Sequence, residues 1–246
     1  MTWVKICGMT NLEDALVAVE VGADAVGFVF YEKSPRYISV ETARAIVEKL
    51  PESVEKIGVF VDPDDDPFNV LRQTGLTGMQ AYFSERGVAG SRGGGGKATD
   101  MACLPARFRS LMALPMSLFG EDVSQIQRMA AGFAASRKKL PEGVSIPECF
   151  LDTFLLDSGN LRQPGGTGNT FDWKKAQALA EGMRNDGLKL VVAGGLTPAN
   201  VGEAISVLQP WGVDVASGVE ARPGEKDPDK VRKFVRAVRE IDRKAS

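Results

Sequence analysis

Histidine is absent from the 246 residues, and cysteine occurs only at positions 7, 103 and 149. Without histidine the commonest acid–base side chain is missing, so any proton transfer falls to Cys, Asp, Glu, Lys or Tyr. The thiols are odd in number and fit no zinc or CxxC spacing, so no metal site is expected. Free thiols point to a reducing cytosol. No apolar run reaches the roughly 18 residues of a membrane span, and no basic, then apolar, leader opens the chain. Basic and acidic side chains nearly balance, 30 against 32, so no overall field draws the surface to nucleic acid or anionic lipid. The short run Arg137-Lys138-Lys139 reads as a solvated helix end. These exclusions predict a cytoplasmic protein with neither a membrane nor a nucleic-acid partner.

What the chain does contain is a repeated alternation of short apolar runs with segments of helical period, the signature of consecutive βα units. Predicted strands cover residues 4–7, 25–30, 56–61, 79–83, 111–117, 154–157, 188–193 and 213–216. Helical periodicity fills residues 12–21, 40–50, 68–74, 121–136, 173–184 and 228–244. Thr10-Asn11-Leu12-Glu13 has the form of a capping box ahead of the first helix. Thr197-Pro198 reads as an N-cap followed by proline at the first helical position. Eight strands, with helices between them, in a chain near the 250 residues typical of the architecture predict one α/β domain over residues 1–246, a (β/α)8 TIM barrel. An open doubly wound sheet is the alternative. Residues 84–100 stand out as a glycine-rich loop region. There, Gly93–Gly96 before Lys97 imitates a nucleotide-binding loop, but Ser91 holds the required first glycine position and Ala98 follows the lysine, so the motif fails.

In such a barrel, chemistry gathers at the carboxyl ends of the strands. Cys7 ends the first strand and is a candidate base, although a free thiol packs equally well as a small hydrophobe. Asp157 ends the sixth strand and is a candidate acid or a plain loop cap. Glycine-rich turns follow the last three strands: Gly165-Gly166-Thr167-Gly168, Ala193-Gly194-Gly195-Leu196 and Ala216-Ser217-Gly218-Val219. Such turns let backbone N–H groups close on an anion, and the loops after strands 7 and 8 are the recurrent phosphate site of the fold. Around a closed ring, strands 7 and 8 lie between strands 6 and 1, so Asp157 and Cys7 would flank an anchored phosphate. That arrangement suits proton relocation on a phosphosugar. Arg36, on the loop after the second strand, is placed to pair with a substrate carboxylate or to sit solvated.

Several runs resemble the phosphoribosylanthranilate isomerase family of tryptophan biosynthesis. They are Val4-Lys5-Ile6-Cys7-Gly8, Gly22-Ala23-Asp24-Ala25-Val26-Gly27-Phe28, Ser34-Pro35-Arg36-Tyr37-Ile38, Gly58-Val59-Phe60-Val61 and Leu155-Leu156-Asp157. The glycine turn at 165–168 with Phe171-Asp172-Trp173, Ala193-Gly194-Gly195-Leu196, and Asp214-Val215-Ala216-Ser217-Gly218-Val219-Glu220 complete the set. Together they lie within residues 4–61 and 154–222. The resemblance implies a TIM barrel and an Amadori rearrangement of N-(5-phosphoribosyl)anthranilate that uses neither cofactor nor metal, in a monomer or homodimer. It assigns proton donation to Asp157 and proton abstraction to Cys7, and gives the substrate carboxylate to Arg36. Phosphate would go to the backbone around Gly166, Thr167, Gly168, Gly194, Gly195, Ser217 and Gly218, with Asp214 in support. The fourth strand departs from the family: the usual Gln-Leu-His-Gly is replaced by Gln80-Ala81-Tyr82-Phe83. Two further readings remain: another phosphosugar isomerase, with paired aspartates on strands 1 and 5, or a catalytically silent barrel that binds a phosphorylated ligand.

Overall fold

A computed structural model describes residues 1–62, 65–84, 87–88, 108–116, 128, 152–159 and 170–245. Eight parallel strands form the ring: β1 (Trp3–Cys7), β2 (Ala25–Val29), β3 (Glu55–Phe60), β4 (Gly78–Ser84), β5 (Arg109–Pro115), β6 (Thr153–Asp157), β7 (Lys189–Val192) and β8 (Gly212–Val215). Their order is β3-β2-β1-β8-β7-β6-β5-β4, and β4 pairs back onto β3, which closes the barrel. The open doubly wound sheet is thereby excluded. A two-residue strand, Gly87–Val88, folds back antiparallel on the end of β4.

Alternation along each strand sorts the side chains into two packed regions. Val4 and Ile6 of β1 face outward, into the large apolar layer beneath the helices. Trp3 and Cys7 face inward with Ala25, Val29, Val59, Tyr82 and Leu155. The register sets Cys7 opposite Gly27 and Lys5 opposite Asp214.

The described helices are α1 (Leu12–Glu20), α2 (Val40–Val47), α3 (Pro67–Thr74), α4 (Gln177–Asn185), α5 (Val201–Leu208) and α6 (Pro228–Ala245). Asn11, and not the Thr10 of the expected capping box, caps α1 by accepting from the Asp14 amide, because the Thr10 hydroxyl donates to the Gly224 carbonyl; Asp66 caps α3. The long α6 buries Val231, Phe234, Val235 and Val238. Its Arg239 reaches Asp24 and its Asp242 accepts from the Thr2 amide at 3.0 Å, which ties the last helix to the first βα unit.

Two helix starts differ from the sequence reading. α4 begins at Gln177, because residues 173–176 form turns ahead of it. α5 begins at Val201, since Asn200 and not Thr197 holds the end of the preceding turn: its Oδ1 accepts from the Thr197 amide at 2.7 Å and its Nδ2 donates to the Gly195 carbonyl at 3.0 Å. The helix expected over 121–136 and the Gly93–Gly96 run lie outside the described residues, apart from helical Arg128. No helix among the described residues is long and apolar enough to cross a membrane.

Candidate active site

At the carboxyl end of the strands lies a cavity of about 450 Å³ lined by Cys7, Arg36, Asp157, Gly194, Gly195, Asp214 and Ser217. Seven of the residues singled out in the sequence therefore meet in one place. Gly218 belongs to the same turn but stands behind the wall. A β-carbon on it would drive into the Leu196 carbonyl oxygen, so its bare backbone lets the loops after β7 and β8 lie against each other. Gly194 and Gly195 both take positive φ, 80° and 62°, and neither N–H is consumed by a backbone hydrogen bond among the described residues. A turn that leaves its N–H groups unused in this way is able to receive an anion. Gly166, Thr167 and Gly168 lie outside the described residues.

Cys7 occupies the last position of β1 and is 6 % exposed. The neighbouring strand leaves room for it: a β-carbon on Gly27 would stand 2.7 Å from Cys7 Sγ and 3.0 Å from Lys5 Cε. Burial pushes the Cys7 thiol up, and the Lys5 ammonium below it opposes that shift without overcoming it. The net shift is upward, because the thiol lost most of its hydration when the barrel closed over it.

Lys5 is fully buried. Its Nζ spans the barrel interior, donating to Asp214 Oδ1 on β8 and to Gln80 Oε1 on β4, each at 2.9 Å. Burial works against its charge, yet Asp214 and Cys7 more than compensate and hold its pKa above the ordinary lysine value.

Asp157 ends β6 inside the barrel. Its Oδ1 accepts from the Gly159 amide at 2.7 Å and its Oδ2 from the Tyr82 hydroxyl at 3.0 Å. Burial raises its pKa above the ordinary carboxyl value in spite of both bonds. Asp152, five residues earlier, sits at the opposite end of the strand and pairs with Lys189 at 2.8 Å, away from this cavity.

Arg36 is held over the end of β1 by a loop that folds back on β2, with the Ile38 amide bonded to the Val29 carbonyl. Gly8, at φ 82°, makes this possible, since a β-carbon there would lie 2.6 Å from Arg36 Cδ. The guanidinium meets Glu220 in bidentate fashion, Nε to Oε1 and Nη2 to Oε2, both at 2.7 Å. Glu220 lies in a small hairpin, Glu220–Arg222 with Glu225–Lys226, whose Lys226 Nζ also donates to Glu220 at 3.0 Å and to the Cys7 carbonyl at 2.6 Å. Burial alone would raise Glu220, but Arg36 and Lys226 outweigh it and keep the carboxyl below its ordinary range. Three of the five guanidinium donors remain outside that pair.

The family model described as N-(5'-phosphoribosyl)anthranilate isomerase matches residues 4–81 and 123–237. The chain belongs to that isomerase family. A relative of that name from Geobacter sp. (strain M21) is 39 % identical over 243 residues, 98 % of this chain and the whole of the relative. Another, from Thermotoga maritima, is 37 % identical over 237 residues, covering 96 % and 98 % of the two chains. A solved phosphoribosyl anthranilate isomerase in complex with reduced 1-(o-carboxyphenylamino)-1-deoxyribulose 5-phosphate superposes with a TM-score of 0.68 at 36 % identity, covering 98 % of this chain and all of that one. The T. maritima crystal structure gives a TM-score of 0.70 at the same identity and coverage.

Five residues around this isomerase-family site escaped sequence reasoning as site residues: Lys5, Gln80, Tyr82, Glu220 and Lys226. Lys5 carried a signal. A lysine at the centre of an apolar strand must find a buried partner, and the mid-strand Gly27 announces a close approach. Glu220 and Lys226 gave none, because their pairing depends on a two-stranded hairpin that folds back under β1.

Proposed function

We propose that the chain catalyses the Amadori rearrangement of N-(5-phosphoribosyl)anthranilate to 1-(2-carboxyphenylamino)-1-deoxyribulose 5-phosphate, with Asp157 as general acid and Cys7 as general base. The observation that carries this reading is the single cavity shared by Cys7, Asp157, Arg36 and the glycine turns after β7 and β8.

The phosphate anchors on the turns at Gly194–Gly195 and Ser217–Gly218, and Gly166, Thr167 and Gly168 are further phosphate ligands proposed from the sequence alone. The anthranilate carboxylate takes the guanidinium donors of Arg36 that Glu220 leaves available, and its ring rests against the apolar wall of Val29, Val59 and Val61. The sugar then lies between β6 and β1. Asp157, which burial inclines to keep its proton, gives that proton to the furanose ring oxygen. The C1–O bond breaks toward that oxygen, and the nitrogen lone pair forms the C1=N bond of a Schiff base. The Cys7 thiolate removes the C2 proton, the electron pair closes a C1=C2 bond, and the C1=N pair returns to nitrogen. The resulting enolamine gains a proton at C1 and loses one from the C2 hydroxyl to become the ketone. Lys5 supports the thiolate electrostatically, and Asp214 keeps Lys5 in place.

An aldose–ketose isomerase with paired aspartates would carry carboxylates on β1 and β5. Here β1 ends on Cys7, and Arg109–Pro115 holds no aspartate. We further read residues 1–246 as one barrel domain, acting in the cytoplasm as a monomer or homodimer on a small phosphosugar; one solved structure is of generated monomers of the dimeric T. maritima enzyme. Incubation with N-(5-phosphoribosyl)anthranilate is the test. Loss of anthranilate-type fluorescence at an enzymatic rate supports the reading, whereas binding without turnover would mark a silent phosphosugar-binding barrel.

A further inference from the structure

Tyr82 belongs to the one strand whose sequence departs from the family pattern, and it is buried at the mouth of the barrel, 6 % exposed. It stands on β4, two strands away from Asp157. The strand between them, β5, places Ala113 beside Tyr82 on one edge and beside Leu155 on the other. Ala113 is small and fully buried, so the phenol ring passes over it and the hydroxyl arrives 3.0 Å from Asp157 Oδ2. This is a reach across the barrel made by one side chain to one atom of the candidate acid.

The two oxygens of Asp157 are not equivalent. Oδ1 faces the Gly159 amide, which can only donate. Oδ2 faces a hydroxyl, which can accept or donate. With a proton on Oδ2, that oxygen keeps a lone pair that accepts from the Tyr82 hydroxyl. Once the proton has gone, the same hydroxyl donates to the anion left behind. A hydrogen bond to a neutral acid becomes a charge-assisted one as the proton departs, and an interaction that strengthens along the reaction coordinate raises turnover and leaves affinity alone.

We propose that Tyr82 is the positioning residue of the acid: its hydroxyl holds Oδ2 as the proton-bearing atom and stabilises the carboxylate after the proton has moved to the sugar ring oxygen. The inference rests on the reading of Asp157 as general acid. The other charged or titratable groups facing this pair are Lys5 and Cys7 from β1, Asp214 from β8 and Arg36 from the loop after β2. Tyr82 itself stays neutral, since burial and then Asp157 push its phenol well above the ordinary tyrosine value.

Tyr82→Phe keeps the ring that packs over Ala113 and removes only the oxygen. The expected result is a fall in kcat of roughly 10- to 100-fold with KM within about 2-fold of wild type. The limb of the kcat–pH profile that disappears in Asp157→Asn should also move to higher pH in Tyr82→Phe, because the carboxylate has lost a donor. Adding Tyr82→Phe to Asp157→Asn should lower kcat no further. Carboxyl ¹³C titration of labelled aspartate, assigned by the Asp157→Asn difference, should show the same upward move in the ligand-free protein. Unchanged kcat, a loss confined to KM, or an unmoved titration would overturn the role of Tyr82. Turnover that survives in Asp157→Asn would instead overturn the reading beneath it.

Discussion

Arg36 spends two of its donors on Glu220, at 2.7 Å each. Glu220 in turn is the carboxylate beside the buried ammonium of Lys226. Arg36 is therefore not a free arm that waits in solvent. It is held by a chain of Arg36, Glu220 and Lys226 that ends on the Cys7 carbonyl of β1.

Breaking that chain at Arg36 or at Glu220 should show in binding before chemistry. Arg36→Met is expected to raise KM by about 10- to 100-fold, the value of a lost charge-assisted pair, with a smaller change in kcat. Glu220→Gln should raise KM as well and also cost stability, on the order of 1–3 kcal/mol, because Lys226 remains buried beside a neutral amide. Steady-state kinetics and denaturant unfolding check both; unchanged KM in Arg36→Met would count against the carboxylate contact.

Lys5 and Asp214 form the charged layer beneath the cavity. Lys5→Met strands Asp214 without its cation in the barrel interior and should destabilise the fold by about 3–5 kcal/mol. It also removes the positive charge that opposes the burial shift of Cys7, so the thiolate should form at higher pH than in wild type. Ultraviolet thiolate absorbance, taken as the difference from Cys7→Ser, reads this directly. A thiol that ionises at the same or lower pH in Lys5→Met would separate Lys5 from the base.

Asp157 is a group whose folded-state pKa lies above its unfolded one, near 3.9. The sign follows from linkage: below the unfolded pKa both states hold the proton and Asp157 costs nothing. As pH rises through the folded pKa, ionising the buried carboxyl erodes stability. An amide at this position keeps both neighbours satisfied, accepting from Gly159 and donating to Tyr82. Asp157→Asn should therefore melt at a higher temperature than wild type at neutral pH, with the gap closing in acid. Equal melting temperatures at both pH values would contradict the burial argument.

Much of this architecture was legible from local signals. Apolar runs with glycine turns at their ends placed all eight strands, and the order of those runs alone set Cys7 and Asp157 on either side of the glycine loops. The ionic state of the thiol was not legible, since it depends on how tightly β1, β2 and β8 close around Sγ. Nor was the partner of Asp157: Tyr82 is distant in sequence, sits in the run that breaks the family pattern, and meets the acid only because β5 offers an alanine between them. Arg36 was legible as a candidate carboxylate ligand, but its tie to Glu220 waits on a hairpin that follows the last strand.

The most direct test compares turnover of N-(5-phosphoribosyl)anthranilate by wild type, Cys7→Ala and Asp157→Asn, alongside binding of the reduced product analogue to each. Losses of roughly 10²- to 10⁴-fold in kcat for both variants, with analogue binding kept, are the predicted result. Near-normal turnover in either variant would contradict a mechanism in which a thiol and a carboxyl group act from opposite sides of one anchored sugar.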